Sequence, residues 1–186
     1  EPTISALLVA AKRDMLTNIV DTIQDSKYGS YVVQDIVPTI TTVASEVQGL
    51  AKYRTYMIMN VNNDVINILI IKDGKIVMAR SVQFAPTLSE VLNKSERLDH
   101  VILAELSEQL KSEYWSSVNY YRITNNEDVE ALYISTQAVD LVRARSDISS
   151  DLNVDVEIFT MALRIKADDD FPVEKYSSCI CATLDR

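Results

Sequence analysis

The sequence predicts an α/β protein in two parts: a small β-α-β-α unit over residues 1–50, then a larger unit of mixed sheet and helices over residues 51–186. Three observations carry this reading. Before residue 50, short apolar runs alternate with segments of helical period. From Thr55 the pattern becomes that of strands, two of them meeting at Asp73-Gly74, a dipeptide specific for a tight hairpin turn. Residues 99–123 then hold the longest apolar stripe at helical spacing in the chain.

In order, Ile4 to Ala10 is an apolar run of strand length. Asp14 is placed to cap a helix whose apolar positions are Met15, Ile19, Val20 and Ile23, stopped at Tyr28-Gly29. Tyr31 to Val37 reads as a second strand, and Pro38 suits the first turn of a helix carrying Ile40, Val43, Ala44 and Val47 before Gly49. Tyr56 to Met59, Val65 to Ile71 and Lys75 to Phe84 form an antiparallel meander. Thr87-Leu-Ser-Glu90 has the capping-box pattern and predicts a short helix to about Asn93. The long helix follows from Asp99 to about Ile123, with Leu103, Leu106, Leu110, Tyr114, Ser117 and Tyr121 on one stripe. Val129 to Ile134 is a strand, Thr136 a candidate cap for a helix to Ile148, and Val154 to Phe159 another strand. Residues 167–170 make a polar loop, and Val173 to Leu184 fits a last helix or strand. From Thr55 on, the order β-β-β-α-β-α-β is that of an RNase H-like subdomain.

An apolar share of 47% with 24% charged residues describes a chain that folds, not a disordered acidic tail. The formal charge of −9 argues against nucleic acid and against anionic membrane surfaces, since both are bound through Lys and Arg. No apolar run reaches the roughly 18 residues needed to span a bilayer. The chain opens at Glu1-Pro2 with no initiator methionine and no basic-then-apolar leader, as a piece of a longer membrane protein would. Cys179 and Cys181 form a C-x-C pair which, with one histidine in the chain, cannot complete a zinc site without acid ligands. They read as reduced, structural cysteines of a cytoplasmic protein.

The element order, with 6-ALLVAAKRDMLTNIVDTIQ-24, 32-VVQDIVPTITTVA-44, 83-QFAPTLSEVL-92, 110-LKSEYWSSVNYYRI-123 and 129-VEALYIS-135, resembles the PilM/GspL-like family. These are actin-like cytoplasmic proteins of type IV pilus and type II secretion assembly, including reduced members of the BfpC kind. The resemblance spans nearly the whole chain and is one of pattern more than identity. It implies a cytoplasmic scaffold peripheral to the inner membrane, or the cytoplasmic domain of a membrane protein. The implied partners are the assembly's hexameric ATPase and an inner-membrane core or PilN-like protein, with a homo-oligomer as a further option. A complete fold of this kind has two lobes, so a lobe with the first phosphate loop is expected before Glu1.

The resemblance also locates where nucleotide chemistry would be. Active actin-like members carry D-x-G-x-x-x-T at the end of the first strand of the second lobe, where glycine lets backbone approach phosphate and the acid holds a metal-bound water. Here Asn60 stands at the acid and Asn62 at the glycine, and the turn after the later strand reads Ile134-Ser135-Thr136-Gln137 with no glycine. The turn after the third strand reads Ala85-Pro86. The chain's three glycines, Gly29, Gly49 and Gly74, are each explained by a helix end or the hairpin. Independently of any family, neither G-x-x-x-x-G-K-[ST] nor G-x-G-x-x-G occurs. The expectation is therefore no catalytic residue, no cofactor and no metal, with Asn60, Asn62 and Ser135 as degenerate loop positions.

Other sites compete poorly. Asp64 reads as a turn residue before a magnesium ligand, and His100 as a first-turn histidine before a general base. Asp168, Asp169 and Asp170 lack the alternation and glycine of a calcium loop. A two-metal nuclease would need a carboxylate where Asn60 stands. Tyr114 and Tyr121 fall on the core stripe, while Trp115 and Arg122, side by side on one helix face, suit a protein interface. The alternative to a scaffold is a weak actin-like ATPase whose site is completed by a missing lobe or a partner chain.

Overall fold

The computed structural model describes residues 12–25, 53–62, 64–94, 98–136 and 140–159. Its elements are α1 (Arg13–Asp25), β1 (Thr55–Val61), β2 (Val65–Lys72), β3 (Lys75–Gln83), α2 (Pro86–Lys94), α3 (His100–Asn125), β4 (Ala131–Thr136), α4 (Leu141–Leu152) and β5 (Asp155–Phe159). The five strands form one sheet in the order β3-β2-β1-β4-β5. Strands β1, β2 and β3 pair antiparallel, and β4 and β5 add on in parallel. This is the RNase H-like arrangement that the sequence order predicts. Of the β-α-β-α unit only α1 is described; the predicted strands at 4–10 and 31–37, the helix after Pro38, the acids at 168–170, the two cysteines and the last element fall outside the described residues.

The hairpin is made by its turn. Asp73 and Gly74 have φ of 49° and 74°, the pair of left-handed residues that a type I′ turn needs, and this turn matches the twist of the strands it joins. A bulge between Ile70 and Ile71 then shifts the pairing of β2 with β3 by one residue.

The central strands are covered on both faces, which is why β1 and β2 read as continuous apolar runs instead of alternating ones. One face, with Met57, Met59, Ile66, Ile68, Leu132 and Ile134, packs against the helices through Leu88 of α2, Leu106, Leu110, Tyr114 and Tyr121 of α3, and Leu141 and Ile148 of α4. The other holds a smaller cluster of Tyr56, Ile58, Leu69, Ile71, Ala131 and Tyr133, in which the Tyr56 and Tyr133 rings meet edge-on at 5.7 Å.

Helix α3 is the spine. The Asp99 carboxylate accepts from the Val101 and Ile102 amides at 2.9 Å, and Asn126 closes the far end in the left-handed conformation, its N–H donating to the Arg122 carbonyl at 2.8 Å. Arg80 ties the edge strand β3 to this helix: its Nη2 meets Glu113 Oε2 at 2.5 Å and its Nε meets Ser117 Oγ at 3.1 Å. The acids that follow α3 are all engaged. Glu127 pairs with Lys72, Asp128 with Arg122, and Glu130 Oε1 accepts from the Thr55 amide.

Several expected boundaries move. Helix α2 begins at Pro86, whose fixed φ suits the first helical position, so Thr87 lies inside the helix and the capping box is not its start. Asp14 likewise lies in the first turn of α1, not before it, and Ile19 is half exposed. Thr136 is the last residue of β4, opposite Val61, and its β-branched side chain is buried. Asp140 precedes α4 instead, and its carboxylate accepts from the Leu98 amide at 2.9 Å, which joins the start of α4 to the loop before α3. Val129 sits in the loop ahead of β4.

Candidate functional site

The chain leaves β1 towards β2 on one side and leaves β4, through α4, towards β5 on the other. Where connections diverge like this, the carboxyl ends of the two parallel strands flank the natural ligand crevice of an α/β sheet. Asn60 pairs with Ser135 and Val61 with Thr136 at those ends, so the topology brings together the positions singled out in sequence.

These residues form a polar row across four strands. Ser81 Oγ donates to Asn67 Oδ1 at 2.7 Å, Asn67 Nδ2 to Asn60 Oδ1 at 3.4 Å, and Asn60 Nδ2 to Ser135 Oγ at 3.4 Å. Asn62 Nδ2 adds a second donor to Asn60 Oδ1 at 2.8 Å. The donors all point the same way along the row, an arrangement in which each bond polarises the next. Asn60, Asn67 and Ser135 are buried, so each amide and hydroxyl needs these partners. The row continues the face of the tyrosine cluster and marks its polar half.

Chemically the row consists of neutral groups. A carboxamide is neither a general base at neutral pH nor a strong magnesium ligand, and the Asn60 oxygen already accepts from two amides. Asp64 is exposed beside the β1–β2 turn; its carbonyl accepts from the Phe84 amide, and its carboxylate accepts from the Ser89 hydroxyl of α2. Among the described residues no three His, Cys, Asp or Glu side chains gather as a ligand group.

Elsewhere, His100 is the exposed first residue of α3. It lies at one end of a groove of about 500 Å³ between α3 and α4, floored by Leu103 and Ala144. The groove's Lys111 is held by Asp151 at 2.7 Å and by Glu108, contacts that raise its ammonium above the ordinary lysine range, Asp151 contributing most. Tyr114 and Tyr121 are buried on the core stripe, and burial pushes the Tyr114 phenol up to about 12. Trp115 is 41% exposed with its indole edge-on to Tyr114 at 5.4 Å, and Arg122 pairs with Asp128 at 2.5 Å. Sequence reasoning missed Asn67 and Ser81 as members of the polar row, and missed Tyr120 and Ile123, at 63% and 85%, as the most exposed large hydrophobic side chains of α3.

No protein-family model matches the sequence, and no curated protein matches it. Among solved structures, a chain of the "PilM-PilN type IV pilus biogenesis complex" superposes with a TM-score of 0.64 at 14% identity, over 94% of this chain. This chain spans 58% of that one. A Bacteroides thetaiotaomicron protein "with actin-like ATPase fold and unknown function" follows at TM-score 0.49 and 12% identity, covering 86% of this chain and 49% of its own. An Aquifex aeolicus Ppx/GppA phosphatase follows at 0.38 and 18%, covering 59% and 36%. Overlaps as loose as these last two carry no argument. The first establishes the fold: this chain is built like a chain of the PilM–PilN type IV pilus biogenesis complex, as its sequence resemblance to the actin-like PilM/GspL-like family implies.

Proposed function

We propose that this chain is a non-catalytic cytoplasmic scaffold of a bacterial type IV pilus or type II secretion inner-membrane complex, linking membrane core proteins to the assembly ATPase. The observation that carries the reading is the fold shared over 94% of the chain with a component of a pilus biogenesis complex. By analogy with that complex, a PilN-like protein is the first partner to test.

The non-catalytic part rests on the crevice at the ends of β1 and β4. Its side chains, Asn60, Asn62 and Ser135, are neutral and hydrogen-bonded, Asn62 and Ser135 both to Asn60, where a phosphate site would use carboxylate and bare backbone. A second reading rests on the 58% coverage: a weak ATPase whose site is completed by a further lobe or a partner chain. Thermal unfolding with millimolar ATP and magnesium separates the two. The scaffold reading expects no change in Tm, and a clear upward shift favours the ATPase.

A further inference from the structure

Helices α3 and α4 run side by side in the same direction. Asp140, at the start of α4, accepts from the Leu98 amide just before α3, and further along Lys111 of α3 meets Asp151 of α4 at 2.7 Å. The groove of about 500 Å³ between them follows this pair of axes. At the helical rise per residue it runs about 16 Å from His100 to Lys111, roughly three turns. Its floor is apolar and low: Leu103 is half-buried, Ala144 is buried, and Ala104 and Ser107 reach no further than a methyl and a hydroxyl. The charges along it do not balance. Lys111 and Asp151 are 40 positions apart in sequence, and one turn nearer the helix starts the same offset sets Asp147 opposite Ser107. Asp147 is exposed and engages no cation among the described residues. Arg143, a turn away, is held by Asp140 at 3.5 Å, and Lys111 is already shared between Asp151 and Glu108. Asp147 and Asp151, one turn apart on the same helix face, also repel each other. Asp147 thus stands as one half of an ion pair.

We propose that the groove between α3 and α4 is a docking site for a cationic amphipathic helix of a partner protein, whose lysine or arginine pairs with Asp147 above Ser107. Shape selects a helix: the small side chains of Ala104, Ser107 and Ala144 let a third helix approach the other two closely, its apolar stripe resting on Leu103. Charge selects its sign. Glu108, Asp140, Asp147 and Asp151 outnumber Lys111 and Arg143 along the groove. A cation is drawn in by this local excess and by the net charge of −9 behind it, whereas an acidic helix, or a second copy of this acidic chain, is repelled. The Lys111–Asp151 pair shows the geometry that the incoming cation repeats one turn away. An exposed ion pair adds little affinity by itself, so the apolar floor holds the helix while Asp147 sets its charge and register. The docking uses no nucleotide, and it holds for a scaffold and for an ATPase alike.

Fluorescence anisotropy of a labelled helical peptide of leucine, alanine and arginine, about three turns long, titrated with the full chain, tests this. The expected result is saturable binding that weakens with added salt, and no binding of the counterpart peptide in which glutamate replaces arginine. Substitutions that change the net charge by the same amount locate the contact. Ser107→Lys places an ammonium opposite Asp147 and fills the groove, so it should weaken binding at least about tenfold without lowering Tm, and Asp147→Asn should weaken it comparably. Glu105→Gln, exposed on α3 outside the groove, leaves binding unchanged. Absence of saturable binding overturns the proposal, as does binding that survives both Ser107→Lys and Asp147→Asn. An equal loss with Glu105→Gln overturns it in favour of the general field of an acidic chain, and equal binding of the glutamate peptide overturns the charge selection on which it rests.

Discussion

Asn60 of β1 and Ser135 of β4 lie opposite each other across the parallel pair, both buried, with the Asn60 amide donating to the Ser135 hydroxyl at 3.4 Å. At the place where the topology opens a crevice, the two strands are thus held by a neutral pair that belongs to a row ending at Ser81.

If that row is architectural, breaking it costs stability. Asn60→Leu leaves the Asn62 and Asn67 amides without their shared acceptor, and chemical denaturation should show a loss of about 1–3 kcal/mol. The double change Asn60→Asp with Asn62→Gly restores the acid and glycine of an active loop. It should still give no calorimetric ATP binding, because the turns at Ala85 and Ser135 keep their side chains.

Arg80 is a second structural tie, reaching both Glu113 and Ser117 on α3 from the sheet edge. Arg80→Ala strands a half-buried carboxylate, and the expected loss is about 1–3 kcal/mol in denaturant unfolding. Arg80→Lys recovers only part of it, because an ammonium cannot fork to a carboxylate and a hydroxyl as a guanidinium does.

Gly74 has φ of 74° with nothing within 4 Å of where a Cβ would lie, so Gly74→Ala meets a torsional cost and no clash. The expected destabilisation is about 1 kcal/mol, and Gly74→Asn, which tolerates the left-handed region, should lose less.

Tyr114 gives a pH signature. Burial raises its folded-state value to about 12, above the ordinary phenol near 10. The folded state therefore holds this proton more tightly than the unfolded state. Its contribution to stability is complete below pH about 10 and is lost as pH rises from there through about 12. Tyr114→Phe should shift the midpoint of alkaline unfolding upward, followed by circular dichroism.

Much of this was legible in the sequence, and the misses have physical causes. Helix α3 announced itself through its stripe, and the hairpin through Asp73-Gly74. The polar row did not. Counting outward from the turn, where Lys72 pairs with Lys75, places Arg80 opposite Asn67; the bulge at Ile70/Ile71 moves Ser81 there and turns Arg80 towards α3. A bulge of this kind leaves no mark in an apolar run. The end of β4 was not legible for a different reason, since a β-branched hydroxyl residue such as Thr136 serves equally as the last residue of a strand or the cap of a helix, and its pairing with Val61 is a long-range fact. Asp140 was invisible as a tie to Leu98 because the two are 42 residues apart.

The central claim, a scaffold that acts without nucleotide, is tested most directly by calorimetric titration of the full chain with the cytoplasmic tail of a PilN-like protein from the same organism, in nucleotide-free buffer and again with magnesium ATP. The expected result is saturable binding with the same affinity in both buffers. Absence of binding, or binding that appears only when ATP is present, would contradict it.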